Sequence, residues 1–193
     1  MNIALALLAA GKSRRMTGGH HKLLADFGGV PVIRRSALAA VGSGACTVLA
    51  VLGHRADALR AHLSDLDLEI IFNPDHATGL SSSLQTAALR VPPDAHGMIV
   101  HLADMPGIGS DSLRRLMIAF EDNGGEAIVR ATDAGHPGHP VIFPRSFLPG
   151  LSSLVGDMGA RDLIPASRLP LVDVELGLVA SLDVDTAEAL AAA

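Results

Sequence analysis

A glycine behind a short apolar run, with two cations a few residues on, is a pattern suited to chemistry on a phosphate. Here the run is Ile3 to Leu8, the glycine is Gly11, and the cations are Arg15 and Lys22. Backbone N–H groups freed after a buried strand can face an anion, and the cations offset its charge. A P-loop requires Gly-x4-Gly-Lys-Ser/Thr. Gly11-Lys12-Ser13 supplies the last three positions, but Ala6 occupies the first. The dinucleotide fingerprint Gly-x-Gly-x-x-Gly fails as well, since its later glycines fall on Ser13 and Met16. Far downstream, Val100-His101-Leu102-Ala103-Asp104-Met105-Pro106 sets a carboxylate just past another apolar run. Ligand crevices of open α/β sheets lie at that edge, and a hard oxygen ligand there suits Mg²⁺ shared with substrate phosphates. An Asp ending a strand in a turn is also common on structural grounds alone.

Four further segments carry polar groups at useful places. Gly79-Leu80-Ser81-Ser82-Ser83-Leu84 opens a helix, where hydroxyls either bind a ribose or base or cap the helix. Ser83 breaks the hydrolase elbow Gly-x-Ser-x-Gly. Gly135-His136-Pro137-Gly138-His139-Pro140-Val141 pairs two histidines, but its prolines oppose a helix presenting both rings, and a third soft ligand is lacking. Arg161, in Gly156-Asp157-Met158-Gly159-Ala160-Arg161, is either an anion-gripping fork or a surface residue. In Leu182-Asp183-Val184-Asp185-Thr186, Asp185 suits a helix N-cap with Glu188 at capping-box spacing, which leaves Asp183 for a metal.

The elements that must position these groups alternate short apolar runs with amphipathic ones, the pattern of an α/β sandwich. Strands are expected at Ile3–Leu8, Cys46–Leu52, Leu68–Phe72, Gly97–Leu102, Glu126–Arg130, Pro140–Phe143, Leu171–Val174 and Ala180–Val184. Pro31 suits the first position of a helix running to Ala40, stopped by Gly42 and Gly44. Further helices are expected at Ala56–Leu63, Gly79–Leu89 and Asp111–Phe120 with Ser110 as N-cap, near Phe147–Leu151 and Arg161–Ile164, and at Thr186–Ala193.

The 193 residues suit one domain, 1–193. With 49% hydrophobic and 18% charged residues, disorder by composition is excluded. A net charge of −5 and 3% aromatics oppose nucleic-acid binding through a basic face or stacking platform. Cys46 alone supports neither an intramolecular disulfide nor a structural zinc site, which points to the cytoplasm. The apolar start lacks a basic n-region, and no run approaches the ~20 residues of a membrane helix.

Leu8-Ala9-Ala10-Gly11-Lys12-Ser13-Arg14-Arg15-Met16, followed by Lys22-Leu23-Leu24, resembles the signature loop of the molybdenum cofactor nucleotidyltransferases. The Asp104-Met105-Pro106, Gly79 to Leu84, Gly138-His139-Pro140-Val141, Gly159-Ala160-Arg161 and Asp183-Val184-Asp185-Thr186 segments resemble that family's later motifs, in matching order from Leu8 to Glu188. Thr17 replaces an expected glycine, the Met16-to-Lys22 spacing is longer than the family's, and Ala187 replaces a proline.

The resemblance implies a Rossmann-like nucleotidyltransferase fold, three-layered, with a mostly parallel mixed sheet. It implies transfer of CMP from CTP to molybdopterin, with Mg²⁺ as cofactor and a molybdenum-enzyme chaperone or target enzyme as a candidate partner. Arg15, Lys22 and Asp104 would be catalytic. Leu8, Ala9, Ala10, Gly11, Ser13, Gly79, Leu80 and Ser82 would bind nucleotide, His139, Pro140 and Arg161 the acceptor, and Asp104 with Asp183 the metal. Ala9-Ala10-Gly11 resembles the cytidylyl branch, whereas the guanylyl branch usually shows Ala-Gly-Gly. The competing expectations are a guanylyltransferase or other small-acceptor cytidylyltransferase, a non-catalytic cofactor-delivery protein, and a dinucleotide-dependent oxidoreductase, the last opposed by the failed glycine fingerprint.

Overall fold

The structure, a computed structural model, describes residues 1–11, 21–154, 156 and 159–184. Its elements run in chain order β1 (Ile3–Ala9), β2 (Asp26–Phe27), β3 (Val30–Pro31), α1 (Val32–Val41), β4 (Thr47–Leu52), α2 (Ala56–Arg60), β5 (Glu69–Phe72), α3 (Leu80–Ala88), β6 (Gly97–Leu102), α4 (Ser110–Asp122), β7 (Ile128–Asp133), β8 (His136–Pro144), α5 (Leu148–Ser152), α6 (Ile164–Ser167) and β9 (Leu171–Glu175). Seven strands form one sheet in the order β5-β4-β1-β6-β8-β7-β9. β5, β4, β1 and β6 are mutually parallel, β8 runs antiparallel to both its neighbours, and β9 is parallel to β7. The expected mostly parallel mixed sheet is therefore present.

β1 is apolar throughout because helices cover both faces of its sheet, the usual condition for a parallel strand. Its side chains alternate between two cores. Ile3, Leu5, Leu7 and Ala9 join a core containing residues of α1, α2 and α4, with Phe120 fully buried. Ala6 and Leu8 join a second core with Leu84, Phe143, Phe147 and Leu151. Truncating a buried phenyl such as Phe120 typically costs about 3–5 kcal/mol.

The chain goes from β1 outward through β4 to β5, then returns to place β6 on β1's other side. This makes the β1–β6 seam the switch point, where a crevice opens at the carboxyl ends of the strands. Gly11 follows β1 and Asp104 follows β6, so both lie at that crevice.

Several boundaries differ from expectation. Ser110 is the first residue of α4, not its cap; Gly109 holds the N-cap position without a side-chain bond. α2 ends at Arg60, and turns carry the chain past Leu63. Pro31 closes the β2–β3 ribbon and precedes α1 as its N-cap. β7 extends to Asp133 and β8 begins at His136, so the glycine- and proline-rich stretch lies within a ribbon. Ala180–Val184 is not a strand. Gly177–Ala180 forms a 3-10 turn packed on β8, so closely that a Cβ on Gly138 would lie 2.3 Å from the Ala180 carbonyl oxygen. The helix expected over 186–193 lies outside the described residues. Among the described residues, no helix is long and apolar enough to cross a membrane.

Candidate functional site

The backbone after β1 forms one side of the crevice. Leu8, Ala9 and Ala10 are buried and Gly11 is exposed, so the chain surfaces where an anion would meet it. Ala103 N–H donates to the Leu8 carbonyl at 3.1 Å, which ties the two strand exits together. Lys22 begins a 3-10 turn anchored by buried Leu23. Its Nζ reaches Asp104 Oδ2 at 2.5 Å, and both side chains are largely shielded, at 16% and 18% exposure. Ser13 and Arg15 lie outside the described residues.

Asp104 is held by groups that motif reading did not single out. Buried Ser36 Oγ donates to the Ala103 carbonyl at 2.9 Å, and Arg35 Nε donates to the Pro106 carbonyl at 3.1 Å, so α1 grips the loop on both sides of the carboxylate. Val184 N–H donates to the Asp104 carbonyl at 2.9 Å, which brings exposed Asp183 beside it in the chain. Two carboxylates without a third protein ligand suit a hard divalent ion that completes its shell with water and phosphate oxygens. Among the described residues, no group of three or more His, Cys, Asp or Glu forms a protein-only cage.

Asn73 organises the helix start beyond β5. It is buried, accepts from Asp75 N–H through Oδ1 at 3.0 Å, and donates through Nδ2 to Ser82 Oγ at 2.9 Å and Ser83 Oγ at 3.1 Å. Ser82 Oγ in turn donates to the Gly79 carbonyl at 3.0 Å, and α3 has no side-chain N-cap bond. Gly79 stands at φ 119°, a conformation L side chains rarely adopt. Leu80 lines the neighbouring cavity.

Three imidazoles gather beside Ala10 and Gly11 at the exit of β1. His21 stacks on His54 at 5.7 Å between centroids, and His54 approaches His76 at 6.4 Å. Burial, together with the nearby His54, Arg55 and Lys22, pushes His21 down to about 4, so it is neutral at pH 7.

On the other side of the seam, β6, β8, α3 and the 159–164 segment enclose a cavity of about 200 Å³. His139 and Arg161 line it, with Leu80, Leu84, Val100 and Phe143 as apolar walls. Pro140 is buried beside His139. His101 is fully buried behind Asp104, and neither of its ring nitrogens has a hydrogen-bond partner among the described residues. Desolvation first, then His139, pushes it down to about 4 despite Asp104. Burial also lowers His139, against a Val100 backbone hydrogen bond and Asp104. Both rings are therefore uncharged at neutral pH.

Sequence comparison matches residues 5–171 to the family described as MobA-like NTP transferase domain. Bifunctional protein GlmU of Leifsonia xyli subsp. xyli is 32% identical over 66% of this chain, and that of Geobacter sulfurreducens 31% over 64%. This chain spans about a quarter of those relatives' length, 27% and 26%. Among solved structures, Rv0371c from Mycobacterium tuberculosis H37Rv superposes with a TM-score of 0.84 at 28% identity, covering 100% of this chain and 96% of that one. The same protein in complex with manganese gives 0.82 at 28%, covering 100% and 97%. Molybdopterin-guanine dinucleotide biosynthesis protein A from Archaeoglobus fulgidus shares the fold, with a TM-score of 0.71 at 17% identity and coverage of 98% and 95%.

Proposed function

Because this chain belongs to the MobA-like NTP transferase domain family, we propose that it transfers CMP from CTP to the terminal phosphate of molybdopterin and releases pyrophosphate. The observation that carries this reading is the meeting of Lys22 and Asp104 over the β1–β6 seam, with an apolar, arginine-bearing cavity alongside. The nucleotide lies across Ala10, Gly11 and the α3 start, and the acceptor enters from the His139 and Arg161 side.

The acceptor phosphate is the nucleophile. A phosphate monoester is largely ionised at pH 7, with a second pKa of about 6, so the protein has no proton to remove. The neutral His101 and His139 fit that requirement. The protein's share is alignment and charge neutralisation. Lys22 moves from Asp104 to the charge growing at the α-phosphorus, and Arg15, assigned from the motif alone, favours the leaving pyrophosphate. Asp104, with Asp183 next to Val184 at its carbonyl, would hold a divalent ion, which would supply charge neutralisation for the phosphates; Mg²⁺ is proposed, and the manganese complex of Rv0371c supports a divalent metal.

We base the preference for CTP on Ala10, which stands where the guanylyl branch usually shows glycine and packs beside Gly53. Pyrophosphate release from each NTP, with and without molybdopterin, tests the whole reading. The expected result is release from CTP only when acceptor is present; a preference for GTP, or release with no acceptor dependence, overturns it.

A further inference from the structure

The cavity beside Asp104 is also lined by Arg130, one member of a charged pair with no part in the chemistry just proposed. Arg130 stands on β7 opposite Val141 of β8, and Asp173 is its register partner on β9. Arg130 Nε donates to Asp173 Oδ1 at 3.0 Å and Nη2 donates to Oδ2 at 3.1 Å, a two-pronged fork in which Nη1 takes no part. Arg130 lines the cavity with Arg161 and His139, and its side chain is 16% exposed. Asp173 stays out of the lining.

The fork divides labour between two arginines. Asp173 neutralises Arg130 and fixes its plane, which makes it a poor sink for a second phosphate but a directional donor. Arg161 brings cationic charge from a different element. The remaining walls, among them Leu84, Val100 and Phe143, offer no partners for a row of hydroxyls. A buried hydroxyl left unpaired is costly, so a polyhydroxylated sugar is a poor occupant. The volume of about 200 Å³ lies below the ~300–1,000 Å³ of sites for drug-sized ligands, which limits the occupant to one ring system.

We infer that the Arg130–Asp173 pair determines acceptor specificity, with Arg130 donating through Nη1 to an uncharged ring carbonyl or ring nitrogen of a flat heteroaromatic body lodged in this cavity. The inference rests on reading the cavity as the acceptor site, and it adds residues that no motif indicated. Asp173 acts through Arg130 and is a positioning residue.

Binding of the fluorescent probe 6-hydroxymethylpterin, followed by anisotropy without nucleotide or metal, tests the pair apart from catalysis. The intact protein is expected to bind the pterin, and an equal concentration of glucose 1-phosphate is expected not to displace it. Arg130→Ala should weaken pterin binding about tenfold or more, the scale of one charge-assisted hydrogen bond, and Arg130→Lys should fail to restore it. Asp173→Asn, which frees the guanidinium charge, should weaken the pterin and strengthen phenyl phosphate. Circular dichroism and Tm identify any variant that has lost its fold, and the charge-conserving Lys variant then carries the comparison. Equal pterin affinity in the parent and a folded Arg130 variant overturns the inference, as does an unchanged phenyl phosphate affinity in folded Asp173→Asn. Absence of pterin binding by the intact protein, or its displacement by the sugar phosphate, also overturns it. Since no turnover is read, failure of CMP transfer and failure of this inference remain separate results.

Discussion

The two sides of the β1–β6 seam are built from different materials. On the β1 side, the surface is main chain and small residues: Ala9, Ala10, Gly11, Gly53, Gly79 and the serines of α3. Its order comes from local backbone geometry and from Asn73, which reaches only nine and ten residues to Ser82 and Ser83. On the β6 side, the surface is long side chains from distant parts of the chain, with Arg130, His139 and Arg161 converging on one cavity. A triphosphate is the same in every NTP and needs close, featureless backbone. An acceptor varies, and only side chains can read it. Under the proposed function, the division of material follows the division between a shared and a particular substrate.

Substitutions can break this contrast or sharpen it. The largest effect is expected at the seam itself, where Asp104→Ala should lower pyrophosphate release about 1,000-fold or more while Tm stays near the parent's. Unchanged release would remove Asp104 from its role. The next effect concerns protons. His21 and His101 are buried with values near 4, whereas unfolded histidine titrates near 6.5. The unfolded chain therefore binds more protons between those values. Their contribution to stability is complete above pH 6.5, declines as pH falls to about 4, and changes no further below that. Each contributes on the order of 3 kcal/mol at most, from 1.36 kcal/mol per unit. Urea unfolding at pH 7 and 4.5 should show a shallower decline in His101→Phe than in the parent; parallel declines would contradict a neutral buried ring.

Gly53→Ala then probes the small-residue side. Its new methyl would meet His76 and Ala10, so a loss of about 1–3 kcal/mol is expected, read as a lower Tm, with weaker CTP binding. Retention of both would show that the β1 side has room after all. The smallest effect is expected from exposed Arg161→Ala, which should raise the acceptor KM about tenfold and leave the CTP KM unchanged. A rise in the CTP KM instead would dissolve the boundary between the two sides.

The same contrast explains what could be read from the sequence. The motifs at the two strand exits are each written in a short run of neighbouring residues, so Gly11, Lys22 and Asp104 stand out in the sequence, and β6 falls at the expected Gly97–Leu102. The fork between Arg130 and Asp173 spans 43 residues and depends on strand order, which spacing does not encode. Ser36 and Arg35 likewise read as ordinary helix positions until α1 packs against the Asp104 loop. The false strand at Ala180–Val184 has alternating apolar residues, but those residues pack on Gly138 and bond to Asp104 rather than pairing along the sheet. Ser110 has the right chemistry for a cap, one residue too late.

The reversal of β8 has a further effect. Val141 is the first β8 residue paired with β6, through Val100, and β6 ends two residues later at Leu102, so the start of β8 at His136–Gly138 overhangs the rim where the parallel strands stop. That overhang is a cantilever, supported on its far side by β7 and tipped by the turn that Glu175 clasps through Ala134 and Gly135 N–H. Lengthening or trimming the cantilever would change its reach over the crevice while every hydrogen bond among β5, β4, β1 and β6 stayed in place. Such a scaffold can therefore be reshaped at its rim by editing one ribbon, leaving the parallel half of the sheet untouched.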